Sequence, residues 1–287
     1  MISSLPYKTK QFFFLLIKLS IVCGATYFIY NRLANNEELD FEVFIEFLTE
    51  NDVFSIKNGV FLLILTSFNW FFEILKWQTL VSSIQNITFF KASKESLSSL
   101  TASLFTPNRI GDYAAKLAFY KSHQRKRILL LNLLSNMAQM SMTLLFGSIG
   151  ILMFMQKYGL DQEYIRITRF ATVMGMVFVF ALFGLRRSEF TIRGFKFSKV
   201  VESIKNISKW IHFKNLLYSL LRYLIFSFQF FFLLQIFGVD VFYINAMIVI
   251  TSMYLLSSII PSLAIFDVVV KGSMALYLFG IVGVNDL

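Results

Sequence analysis

The residues most able to do chemistry come in two matching sets. The first is Pro107-Asn108-Arg109-Ile110-Gly111-Asp112-Tyr113-Ala114-Ala115-Lys116. The second is Pro261-Ser262-Leu263-Ala264-Ile265-Phe266-Asp267-Val268-Val269-Val270-Lys271. Each opens on a proline, reaches an aspartate five or six residues later, and then a lysine four residues on. Each follows a serine-bearing apolar run, Leu97 to Thr106 and Leu255 to Ile260. An aspartate and a lysine four apart share a helix face and can pair. Arg109 or Lys116 could then hold a phosphate that Asp112 orients, with Pro107, Gly111 and Pro261 as structural turns. A solvated cytoplasmic helix is the plainer reading of Arg109, Asp112 and Lys116. Asp267 and Lys271 face a cavity on one reading and the cytoplasmic headgroups on the other. The two sets are an internal repeat or a coincidence of short patterns.

Four further groups carry polar atoms in apolar runs. Glu73 and Lys76 lie three apart near the cytoplasmic end of one run, where Lys76 can snorkel. Arg222 can snorkel likewise or meet a lipid phosphate, and Lys18 is most simply a snorkelling lysine. Asn132, Asn136, Gln139 and Thr143 form one helical stripe, which binds neighbouring helices or lines a polar groove.

The elements that must position these residues are membrane spans. The chain of 287 residues is 56% hydrophobic, with 35 phenylalanines and a mean hydropathy of +0.65, more apolar surface than a soluble protein of this size carries. Spans need about 20 apolar residues. Runs 11–30, 58–81, 128–155, 170–185, 216–237 and 241–260 qualify, and 262–283 is a seventh that holds Asp267 and Lys271. The expected fold is all-α: a polytopic membrane protein of about six to seven transmembrane helices, forming a single domain over 1–287. Residues 95–106 are too short to span and end at Pro107. With 108–121 they predict a re-entrant or interfacial helix pair, with Ile110, Ala114, Leu117 and Ala118 on the apolar side. Residues 196–213 predict a surface-lying helix.

Charge assigns the sides. The acidic loop 31–57 belongs outside, while 82–127 and 186–215, rich in lysine and arginine, belong in the cytoplasm. The first run then enters from the inside as an uncleaved anchor of the cytoplasmic (inner) membrane. The net charge of +10 lies in these loops, which suits anionic headgroups and carries no nucleic-acid motif. No nucleotide-phosphate loop, metal-ligand set or nucleophile elbow is present, so no cofactor, no metal and no enzymatic activity are expected. The single cysteine, Cys23, leaves the fold without an internal disulfide.

The stretch Ser98 to Lys116, with its basic continuation to Arg127 and the long span after it, resembles the flippase-like membrane domain joined to lysylphosphatidylglycerol synthases and also found alone. That family's proline, small-residue turn, Gly-Glu and basic residue correspond to Pro107, Gly111, Asp112 and Lys116, with Asp for Glu. Its later proline, acidic residue and closing Gly-Val correspond to Pro261, Asp267 and Ile281-Val282-Gly283-Val284. The third span departs from it, with Ser135-Asn136 and Gln139 in place of charged residues. The chain also ends where relatives add a span or two, so a C-terminal truncation is one expectation. The resemblance implies movement of a polar-headed lipid, an anionic phospholipid or a lipid-linked substrate, between leaflets. Two alternatives stay open: an enzyme or accessory acting on a lipid-linked sugar or isoprenoid phosphate, and a non-catalytic scaffold. A homo-oligomer or a cell-envelope biosynthesis partner accompanies these readings.

Overall fold

A computed structural model describes residues 45, 46, 49, 53–104, 106, 110–158, 191, 192, 195, 196, 202–259 and 264–282, and of 191, 192, 195, 196, 259, 264–270, 273 and 276 only the backbone. Runs 11–30 and 170–185, Cys23, Pro107, Arg109 and Pro261 lie outside the described residues, as does the side chain of Asp267.

The described fold is helical: α1 (Ile56–Val81), α2 (Phe89–Leu104), α3 (Ile110–Ala118), α4 (Ser122–Tyr158), α5 (Lys209–Ile236), α6 (Tyr243–Ile259) and α7 (Ala264–Ile281). A two-residue antiparallel ribbon pairs Thr191 with Lys196 and Ile192 with Phe195. Helices α1, α4 and α5 are long and apolar enough to cross a bilayer, and α6 is a shorter apolar helix. Residues 1–58 and 59–287 form two compact units. In the first, the Asn58 amide donates to Ser55 Oγ at 3.3 Å, and Phe54 and Ile56 are exposed.

The second unit is apolar outside and polar within. Leu63, Phe68, Leu145, Leu152 and Leu224 are exposed, whereas Glu95, Asn132, Ser135, Ser219 and Lys116 are buried. This distribution suits hydrocarbon as the solvent, since lipid-facing surface must be apolar and polar groups must find partners inside. One apolar cluster joins Trp77, Leu80 and Val81 to Ala92, Ile128, Leu131 and Ile207. A second joins Phe154 to Val249, Ile250, Met253, Leu278 and Phe279. Helix α4 has 37 residues, and its exposed first turns carry His123, Arg125, Lys126 and Arg127. Its opposite half packs closely on α6 because glycine lets it. A Cβ at Gly147 would sit 2.4 Å from Leu255 Cβ, and one at Gly150 2.0 Å from Thr251 Oγ1. Small residues at such crossings are how membrane helices gain contact without a hydrophobic drive.

The predicted helix over 196–213 is corrected. Ser208 takes φ −52° and ψ 137°, and its hydroxyl accepts from the Trp210 amide, starting α5 at Lys209. An N-cap residue needs non-helical backbone, so the chain breaks there. Ile207 turns into the first apolar cluster instead of lying on a surface. Between α5 and α6, Gly238 takes φ 70°, a left-handed value that glycine adopts freely.

Candidate functional site

Helices α2 and α3 form a tight hairpin, and one glycine sets its spacing. A Cβ at Gly111 would lie 2.2 Å from the Ala102 carbonyl oxygen, a backbone atom that cannot step aside. The Gly111 amide donates to Thr106 Oγ1 at 2.7 Å, and Thr106 Oγ1 donates to the Ala102 carbonyl at 3.1 Å. Gly111→Ala should therefore splay the hairpin and cost about 1–3 kcal/mol or more, the overpacking range; the check is a lowered unfolding midpoint in detergent.

This closeness sets Asp112 against α2 and α4. Ser99 Oγ donates to Asp112 Oδ1, while Asn132 Nδ2 and Asn136 Nδ2 donate to Oδ2 at 2.7 and 3.1 Å. Lys116 Nζ lies 3.1 Å from Asp112 Oδ1 and donates to Asn132 Oδ1 at 2.7 Å. It also sits 4.3 Å above the Trp77 ring, a cation–π contact from α1. On the indole's edge, Trp77 Nε1 donates to Glu95 Oε2 at 2.7 Å, and Tyr120 OH donates to the same oxygen at 2.7 Å. Burial, then the bond to Glu95 and its charge, push the Tyr120 phenol well above its ordinary range.

A second ionic set lies alongside. Lys76 Nζ is 2.8 Å from Glu73 Oε2, and Arg222 Nη1 from α5 donates to the same oxygen. Arg222 Nε donates to Asn69 Oδ1 at 2.8 Å, and Nη1 reaches Gln139 Oε1 at 3.4 Å. Lys76 and Trp77 are neighbours in α1, and Trp77 carries Lys116 on its face, so the two sets adjoin.

Several expectations change here. Helix α3 is amphipathic as predicted, but its polar side, Gly111, Asp112 and Lys116, is buried, and Ile110, Ala114 and Ala118 are exposed. The solvated-helix reading is therefore set aside, and the Asp112–Lys116 pair forms as its spacing requires. Lys76 does not snorkel: it is 1% exposed and held by Glu73. Arg222 does not reach outward either, because Glu73 and Asn69 hold it between helices. Asn132, Asn136 and Gln139 bind other helices, as the first reading of their stripe has it, through Asp112, Lys116, Arg222 and the Ser219 carbonyl. Lys271 Nζ stands 5.9 Å from the centre of the Tyr254 ring on α6. The backbone places Asp267 on α7, which packs on α6 and also meets α2.

Sequence reasoning overlooked Ser99, Trp77, Glu95, Tyr120 and Asn69. The signal for Ser99 was present: Ser96, Ser99 and Ser103 recur at helical spacing around Glu95, and all are buried.

No curated protein matches the chain, and no solved structure matches it. One family does, the one described as the lysylphosphatidylglycerol synthase TM region, over residues 15–284. With a match over nearly its whole length and helices fit to cross a bilayer, the chain is a multi-pass membrane protein tied to lipid handling and belongs to the lysylphosphatidylglycerol synthase TM region family.

Proposed function

We propose that the protein moves a polar-headed, phosphate-bearing lipid between the leaflets of the cytoplasmic membrane, without covalent change to it and with its N-terminus in the cytoplasm. One observation carries the reading: the two adjoining ionic sets hold three cations, Lys76, Lys116 and Arg222, against two anions, Glu73 and Asp112. Glu95, a third buried carboxylate, evens the count, but its hydrogen bonds go to Trp77 and Tyr120 rather than to a cation. A lipid phosphate offers these cations a second anionic partner. It also meets the donors that replace its hydration, which is the main cost of taking a headgroup through hydrocarbon. Its acyl tails stay in lipid.

The test is dithionite bleaching of headgroup-labelled phosphatidylglycerol in proteoliposomes. Without exchange about half the label is protected, since only the outer leaflet is reached. The wild-type protein should carry bleaching to completion. Lys116→Met and Arg222→Met should return it to the level of protein-free vesicles while still inserting. Unchanged exchange in both variants, or none with the wild type, refutes the reading. A covalently altered lipid would point instead to an enzyme.

A further inference from the structure

Helix α5 turns four residues at i, i+4 spacing toward the protein interior: Asn215, Ser219, Tyr223 and Ser227, each at most 3% exposed. They face α4. Asn215 Nδ2 donates to the Leu134 carbonyl at 3.3 Å, Gln139 Nε2 donates to the Ser219 carbonyl at 3.4 Å, and Tyr223 stacks on Phe146 at 4.9 Å. Each of the four carries a buried oxygen with no hydrogen-bond partner: Asn215 Oδ1, Ser219 Oγ, Tyr223 OH and Ser227 Oγ. The Ser227 hydroxyl neighbours the Tyr223 phenol without closing a well-formed bond. Across the seam on α4, Ser135 Oγ is also buried and unpartnered.

Among the described residues, Ser96 Oγ on α2 is likewise buried and unpartnered, but other helix hydroxyls find a partner in their own backbone. Ser67, Ser141, Thr251 and Ser252 each donate to the carbonyl four residues back in their own helix. The residues of the α4–α5 seam leave that option unused. The Asn215 carbonyl oxygen is an acceptor and has no such option. Unpartnered buried polar atoms are rare, and ordered water is their usual explanation where several converge. In membrane proteins the requirement for partners is stricter still.

We propose that the seam between α4 and α5 binds a file of water, running from Asn215 and Ser135 past Ser219 and Tyr223 to Ser227. Twelve residues of helix make it about 18 Å long, more than half of a bilayer's hydrocarbon core. The file touches the ionic sets at one residue. Gln139 holds Arg222 through its oxygen and the Ser219 carbonyl through its nitrogen. Water so placed solvates Arg222 from behind and lets it change partners without entering hydrocarbon.

Thiol labelling tests this in the full-length protein in vesicles, with Cys23→Ser removing the native thiol. Ser135→Cys, Ser219→Cys and Ser227→Cys are exposed to 2-aminoethyl methanethiosulfonate and read by mass spectrometry, beside the exposed α5 position Leu224→Cys. Only a thiolate reacts, and thiolates need water, so the seam positions should label about tenfold or more faster than Leu224→Cys. Labelling as slow as at Leu224→Cys overturns the proposal. A second measurement covers a variant that folds badly. Ser219→Ala and Ser227→Ala each remove a water-bonded hydroxyl and should lower the unfolding temperature. If the hydroxyls are dry, alanine raises that temperature or leaves it unchanged, which also overturns the proposal. Neither readout involves lipid exchange, so a dry seam and an inactive transporter are distinguishable results.

Discussion

Asp112→Ala should cost about 3–5 kcal/mol of stability, the range for breaking a buried ion pair from one side. The aspartate collects Ser99, Asn132, Asn136 and Lys116 from three helices, and its loss strands an ammonium that is 2% exposed. The Asn132 and Asn136 amides lose an acceptor in the same step, which adds the penalty for unpaired buried donors. Denaturant unfolding in detergent micelles, followed by tryptophan fluorescence, gives the number; Trp77 lies beside Lys116 and reports locally. The double variant Asp112→Leu with Lys116→Met should recover much of the loss, because an apolar pair of similar size removes the charges together. A double variant as unstable as the single one would mean that the asparagines, not the charge, dominate.

Glu73→Ala should be at least as damaging, about 3–5 kcal/mol, and worse than Arg222→Met. The order follows from counting. Glu73 pairs with both Lys76 and Arg222, so its removal leaves a buried and a half-buried cation facing each other. Taking away Arg222 instead leaves the Glu73–Lys76 pair balanced at 2.8 Å. The same unfolding assay ranks the two, and the reverse order would show that Arg222 matters chiefly as a tie between α1, α4 and α5. Arg222→Lys should not restore the wild type. A lysine offers one point charge where the guanidinium reaches Asn69 and Glu73 through different nitrogens.

Much of this arrangement was legible in the sequence. The described spans fall on predicted apolar runs, because hydropathy over about 20 residues is a strong signal. Asp112 and Lys116 pair because helical spacing leaves little choice. The sense of α3 was harder: its periodicity shows two faces but does not say which is wet. That was settled by neighbours, when Gly111 let α2 come close and Ser99 reached Asp112. Arg222 and Glu73 are 149 residues apart in sequence, and no local pattern links them. The break at Ser208 was missed because the isoleucine spacing continues through it, although a serine before an apolar run is a known start signal.

The length of α4 has a consequence for experiment. Its 37 residues extend about 56 Å, against a hydrocarbon thickness of about 30 Å. Even with its basic first turns among the headgroups, the remainder must lean or protrude. A leaning helix feels the bilayer's thickness, so acyl-chain length becomes a control variable. Thin and thick membranes should set different angles between α4 and its neighbours, and any activity governed by the groups along it should vary with the chain length of the surrounding lipid.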